Sequence, residues 1–164
     1  MKSIIKSILV IGLLIISTNT AIAKTQKVKV KTLHDYIHKH CKNNCIDSHL
    51  FRSQIKLASH KHHISEKLLM AVVKVESRFN KRAHSKGNYG LMQVNASSHR
   101  DKLKYKDRFD IVRNIDIGSE ILSECLESSR NNIKRALSCY KGGYSAEYQN
   151  EIKLAMVTMA QLSM

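Results

Sequence analysis

Residues 65–77, SEKLLMAVVKVES, constrain this chain more than any other stretch. Leu69, Val72 and Val73 recur at helical spacing, and Glu76 follows them by seven, four and three residues. Glu76 therefore continues an apolar stripe, whereas Lys67 and Lys74 occupy a face of their own. Ser65 is a good N-cap type, and Ile64 and Leu69 are spaced as a hydrophobic staple. The pattern predicts a buried helix that carries a carboxylate on its inner face, just where it runs into a polar, basic loop containing Gly87 and Gly90.

The same period recurs along the chain. With no proline and six glycines in 164 residues, little interrupts it. Leu50, Phe51, Ile55 and Ala58 predict a helix that starts at Asp47 or Ser48 and reaches about residue 61. Asp110 caps another, with Ile111, Ile115, Gly118, Ile121, Leu122 and Leu126 on its apolar face. Residues 131–140 form a shorter helix before Gly142 and Gly143. A last helix follows Ser145 and turns Tyr148, Ile152, Ala155, Met156 and Met159 inward. No strand pattern emerges. The expected fold class is all-α, a single domain over 47–164 with irregular loops after Glu76 and around residues 98–108. Before it comes a basic, cysteine-containing segment, 24–46, whose first part (24–32) reads as a poorly ordered tether.

The N-terminus sets the compartment. Two lysines, Lys2 and Lys6, precede an apolar run over residues 8–16, and Ala21-Ile22-Ala23 fits a small-x-small cleavage site. The run is shorter than the roughly 18 residues that a spanning helix needs. Residues 1–23 are thus expected to be a signal peptide, and the protein to be exported to the periplasm or cell envelope. The formal net charge is +15, and loss of Lys2 and Lys6 leaves the chain strongly basic. Such a charge suits a polyanionic partner, and outside the cytoplasm an acidic wall polymer is favoured over nucleic acid. Nothing here resembles the aromatic stripe of a single-strand binder, so no nucleic-acid partner is expected. Cys41, Cys45, Cys125 and Cys139 all lie in the exported part. Closeness in sequence favours Cys41–Cys45 and Cys125–Cys139 as disulfides over the two other pairings. His34, His38, His40, His49, His60, His62 and His63 surround the first pair without a regular ligand spacing, so no metal site is expected.

A half-buried carboxyl at a helix C-terminus is held toward its acid form, first by desolvation and then by the negative end of the helix dipole. Such a group can protonate a leaving oxygen, the step glycoside cleavage requires. The alternative is that Glu76 simply ends the helix and pairs with Arg78 or Lys81. Periodicity finds no second carboxylate at a defined spacing. Asp101, Asp107, Asp110 and Asp116 are candidates by position alone, each more simply a loop or cap residue.

The flanking residues narrow the choice. Glu76-Ser77-Arg78-Phe79-Asn80, then Ala83 and Ser85, then Gly90-Leu91-Met92-Gln93-Val94-Asn95 resemble the bacterial lytic transglycosylases with a lysozyme-like soluble transglycosylase domain. Downstream, Asn114-Ile115, Gly118 and Ile121-Leu122 fit the family's next helix, and residues 136–143, ALSCYKGG, occupy the place of its A-L-x-x-Y-N-x-G segment. The resemblance covers about residues 50–152. The short chain with NYGLMQVN looks most like the small transglycosylases attached to secretion, conjugation and pilus systems. Two departures stand out: the interval between Ser85 and Gly90 is one residue short, with Tyr89 in place of a small residue, and Lys141 stands where Asn is usual.

The resemblance implies a lysozyme-like helical fold and cleavage of the β-1,4 bond between N-acetylmuramic acid and N-acetylglucosamine in peptidoglycan. The products would carry 1,6-anhydromuramoyl ends, and no cofactor would be needed. It implies Glu76 as the single catalytic acid. Ser85, Gln93 and Asn95 would hold polar groups of the substrate, and Met92 and Tyr140 would line the cleft, with the Tyr140 hydroxyl near the acid. Components of a secretion or conjugation machine are the implied partners besides the glycan. A hydrolytic muramidase, or a wall-binding assembly factor without turnover, is the alternative.

Overall fold

A computed structural model describes residues 32–162. The expected signal peptide, and all of the expected tether but Thr32, lie outside the described residues. Six α-helices make up most of the structure: α1 (Leu33–His40), α2 (Ser48–His62), α3 (Glu66–Ser77), α4 (Ile111–Ser128), α5 (Ile133–Lys141) and α6 (Ala146–Met159). The all-α expectation holds. Each of the four long helices starts at a side-chain cap foreseeable from sequence. Asp47, Ser65, Asp110 and Ser145 accept from the backbone N–H of Leu50, Leu68, Arg113 and Tyr148, each cap contributing about 1 kcal/mol.

Helix α3 is the centre. Leu68, Leu69, Met70, Ala71, Val72 and Val73 are all buried, an all-round apolar surface that only a helix enclosed by others tolerates. α6 packs along it and α2 lies against it, while α4 packs on α2 and α5. Just past Glu76 the helix stops abruptly. Arg78 and Phe79 both take left-handed backbone conformations (φ 50° and 65°), and the Arg78 N–H donates to Lys74 O. Phe79 is fully buried against the rings of Phe51 and Tyr36, with T-shaped centroid separations of 5.5 and 6.0 Å. This anchor fixes where the acid-bearing turn ends.

Two features depart from expectation. The segment 24–46 contains α1, closed by a Thr32–Asp35 capping box, and its Leu33, Tyr36 and Ile37 join the core. Ile46 N donates to Phe79 O, so the folded body extends N-terminal to residue 47. Between α3 and α4 lies a small antiparallel sheet, β1 (His84–Ser85), β2 (Asn88–Tyr89) and β3 (Val94–Asn95), in meander order. Strands of two residues are too short to show an alternating pattern.

Both expected disulfides are present. Cys41–Cys45 closes the chain after α1, and Cys125–Cys139 joins α4 to α5. The second closes a loop of 14 residues, which stabilises by about 3 kcal/mol on chain-entropy grounds.

Candidate active site

Glu76 sits half-buried in the last turn of α3. The Tyr148 hydroxyl, from the first turn of α6, donates to its Oε1 at 2.6 Å. Burial pushes the Glu76 carboxyl above the usual glutamate range; the Tyr148 hydrogen bond and then the charge of Lys141 pull it part of the way back. Burial and the neighbouring carboxylate push the Tyr148 phenol far above its ordinary value, so it remains a neutral donor. The Lys141 ammonium lies 4.9 Å from the centroid of the Tyr148 ring. Glu76 thus meets a hydroxyl, and its hydrogen-bond partner is neither Arg78 nor Lys81.

The loop that follows this acid in sequence is held by α4. Asn114 is buried; its Oδ1 accepts from Met92 N at 2.9 Å and its Nδ2 donates to Tyr89 O at 2.8 Å. Gly90 has φ +75°, and a Cβ there would run into the Asn114 amide, so only glycine fits. The Gln93 amide donates to Gly90 O (2.9 Å) and Ala83 O (3.1 Å), closing the loop on itself. Asn95 Nδ2 donates to Asn88 Oδ1, while its own Oδ1 accepts from the Ser97 and Ser98 N–H groups.

Beside the sheet opens a cleft of about 390 Å³ lined by Asn88, Gln93, Asn95, Ser98, Tyr140 and Lys141, among others. Gln93, Asn95 and Tyr140 thus line one cleft. Ser85 does not: it is exposed on β1 and outside this lining. Met92 is corrected outright. Its side chain is fully buried, packed against Gly118, where a Cβ would come within 2.6 Å of the Met92 Cβ. What Met92 offers is its carbonyl, which accepts from the Tyr140 hydroxyl at 2.7 Å. Tyr140 lies close enough for the Glu76 charge to add to the burial that raises its phenol, but Tyr148 makes the hydrogen bond to the acid. Glu76 is not itself in the lining of the cleft, but Tyr140 and Lys141, which are, lie close enough to interact with it electrostatically. A larger groove of about 530 Å³, between α5 and α6, is lined by Ile133, Leu137, Tyr144, Met156 and others and includes none of the expected site residues.

Sequence reasoning missed Tyr148 and the anchoring role of Asn114. A phenol on a buried helix face requires a polar partner, and that requirement is the signal that could have found Tyr148. The carboxylates that sequence offered as candidates for a second acid have other places in the fold. Asp110 caps α4. Asp116 is bound by Lys61 (2.7 Å) and His62 (2.8 Å). Asp107 lies in the short 3-10 turn Tyr105–Asp107, and Asp101 is exposed. Among the described residues, Glu76 is the carboxyl kept buried against a neutral donor, an arrangement that can deliver a proton to a bound leaving oxygen.

The family model for the transglycosylase SLT domain matches residues 53–156. The chain is 34% identical over 114 residues to a membrane-bound lytic murein transglycosylase C from Photorhabdus laumondii. That alignment takes in 58% of this chain and 32% of the relative, so the chain spans about a third of that protein. No solved structure matches the chain.

Proposed function

The chain belongs to the transglycosylase SLT domain family, and from that premise we propose that it is a peptidoglycan lytic transglycosylase with Glu76 as its acid. The observation that carries this reading is the Glu76–Tyr148 pair: a desolvated carboxyl whose hydrogen-bond partner is a phenol 2.6 Å away. Protonated Glu76 gives its proton to the glycosidic oxygen as the muramoyl C1–O bond breaks. The substrate's 2-acetamido carbonyl shares electrons with C1 meanwhile. Glu76, now a carboxylate, accepts the proton of the muramoyl C6 hydroxyl as that oxygen bonds to C1. The product is a 1,6-anhydromuramoyl end, no water is consumed, and the acid is regenerated. One carboxyl suffices, which fits the commitment of Asp110 and Asp116 to other tasks.

Gln93 and Asn95 present amides to the sugars, and Tyr140 shapes the wall beside the acid. Ser85, exposed on β1, is the outermost candidate contact. Residues 1–23 direct export, and the enzyme opens the wall locally in the cell envelope in the service of a secretion or conjugation machine. The resemblance of NYGLMQVN to the small machine-associated enzymes supports that last role. Mass spectrometry of digested sacculi tests the reaction. Anhydromuropeptides are expected; reducing muramic acid ends would make the enzyme a hydrolytic muramidase, and intact sacculi would make it a wall-binding factor.

A further inference from the structure

Lys141 is the departure at the site with a chemical consequence of its own. It is the last residue of α5 and is fixed from several sides. Gly142 caps the helix in a left-handed conformation, the Cys125–Cys139 disulfide ties the same turn to α4, and the ammonium rests over the Tyr148 ring. Lys141 lines the cleft, whose other polar lining is amide, hydroxyl and imidazole; the described residues lining it include no Asp or Glu. Its side chain is exposed and enters none of the ion pairs found among the described residues. Glu76 answers it electrostatically, but when Glu76 is protonated and ready to react that charge is gone. A cation held in a carboxylate-free cleft beside a neutral acid is a site for an anion, and on a muramoyl glycan the anion available is a carboxylate.

We propose that Lys141 is a specificity residue that binds a carboxylate on the muramoyl arm of the strand, so that the cleft distinguishes muramoyl glycan from a neutral N-acetylglucosamine oligomer. The inference rests on the transglycosylase reading and names what that site selects. Two sources share this chemistry: the lactyl carboxylate of a strand stripped of peptide, and the carboxylates of the stem peptide.

Calorimetric titration of the exported chain, with Glu76→Gln to stop turnover, separates them. Three ligands with the same number of sugars are used: a chitooligosaccharide, a peptide-free muramoyl oligomer and a peptide-bearing one. At least one muramoyl ligand is expected to bind about tenfold more tightly than the chitooligosaccharide. Adding Lys141→Gln should erase that advantage without changing chitooligosaccharide affinity, Lys141→Arg should keep most of it, and salt should weaken it. Whichever muramoyl ligand shows the gain identifies the source. An advantage that survives Lys141→Gln, or chitooligosaccharide binding with no muramoyl advantage, overturns the proposal and leaves the transglycosylase reading standing. Failure of all three ligands to bind overturns both.

Discussion

Glu76 and Asp116 are both carboxylates on buried helices, and the structure treats them in opposite ways. Asp116, on α4, is partly desolvated, which alone would raise its pKa, but Lys61 at 2.7 Å and His62 at 2.8 Å pull it below the usual aspartate range. Glu76, at the end of α3, is desolvated too, and its closest partner is a neutral phenol, so its acid form is favoured. In sequence Glu76 continued an apolar stripe, whereas Asp116 was a candidate by position alone. What separates them is the partner: Lys61 and His62 hold Asp116 in a structural network, whereas one hydroxyl leaves Glu76 a proton to give away.

The widest gap between the two should appear in turnover. Glu76→Gln is expected to reduce release of muropeptides from sacculi by about a thousandfold, within the range of general-acid catalysis. Asp116→Asn should leave it within about twofold; a comparable loss there would break the distinction. Tyr148→Phe comes next, with a loss of about tenfold to a hundredfold. It removes the hydrogen bond that favours the carboxylate, so Glu76 should stay protonated to higher pH. The alkaline limb of the pH–rate profile is therefore expected to move up, and a downward move would contradict the role given to the phenol. Lys141→Gln should shift that limb in the same direction by less, because the charge of Lys141 acts on Glu76 more weakly than the Tyr148 hydrogen bond does.

Stability sharpens the contrast at the smallest scale. Glu76 has a raised folded pKa, so its favourable contribution is complete below the ordinary glutamate range and is lost as pH rises through the folded value. Glu76→Gln should therefore raise the melting temperature relative to wild type more at pH 7 than at pH 4. Asp116 has a lowered folded pKa, so its contribution is present above the ordinary aspartate range and is lost as pH falls through the folded value. Asp116→Asn should cost up to about 1 kcal/mol at neutral pH, as suits a largely solvated ion pair, and nothing in strong acid. Thermal melts of both variants across pH check the two signs together.

Much of this was legible in the sequence. The stripe Leu69, Val72, Val73 placed Glu76 on an inner face, and the caps at Asp47, Ser65, Asp110 and Ser145 placed the helices around it. Short-range spacing could not reveal the partner, because Tyr148 lies 72 residues from Glu76 and appeared only as another inward-facing residue of α6. Helix α1 escaped notice because Leu33, Tyr36 and Ile37 are interleaved with His34, His38, Lys39 and His40, which dilute the apolar period. Met92 belongs to a motif that suggested a cleft wall, yet the gap opposite it is made by Gly118, and the side chain fills that gap. The small sheet depends on register between two-residue strands, and its loop depends on Asn114 from another element. Neither the packing of Met92 nor the register of the sheet is a property of a single segment.

The most direct measurement is an NMR titration that follows the side-chain carboxyl carbons of Glu76 and Asp116 in one sample of the intact, uncomplexed chain. Glu76 titrating above the usual glutamate range while Asp116 titrates below the usual aspartate range is the expected result. Glu76 titrating at or below its ordinary value would contradict its assignment as the acid that burial keeps protonated.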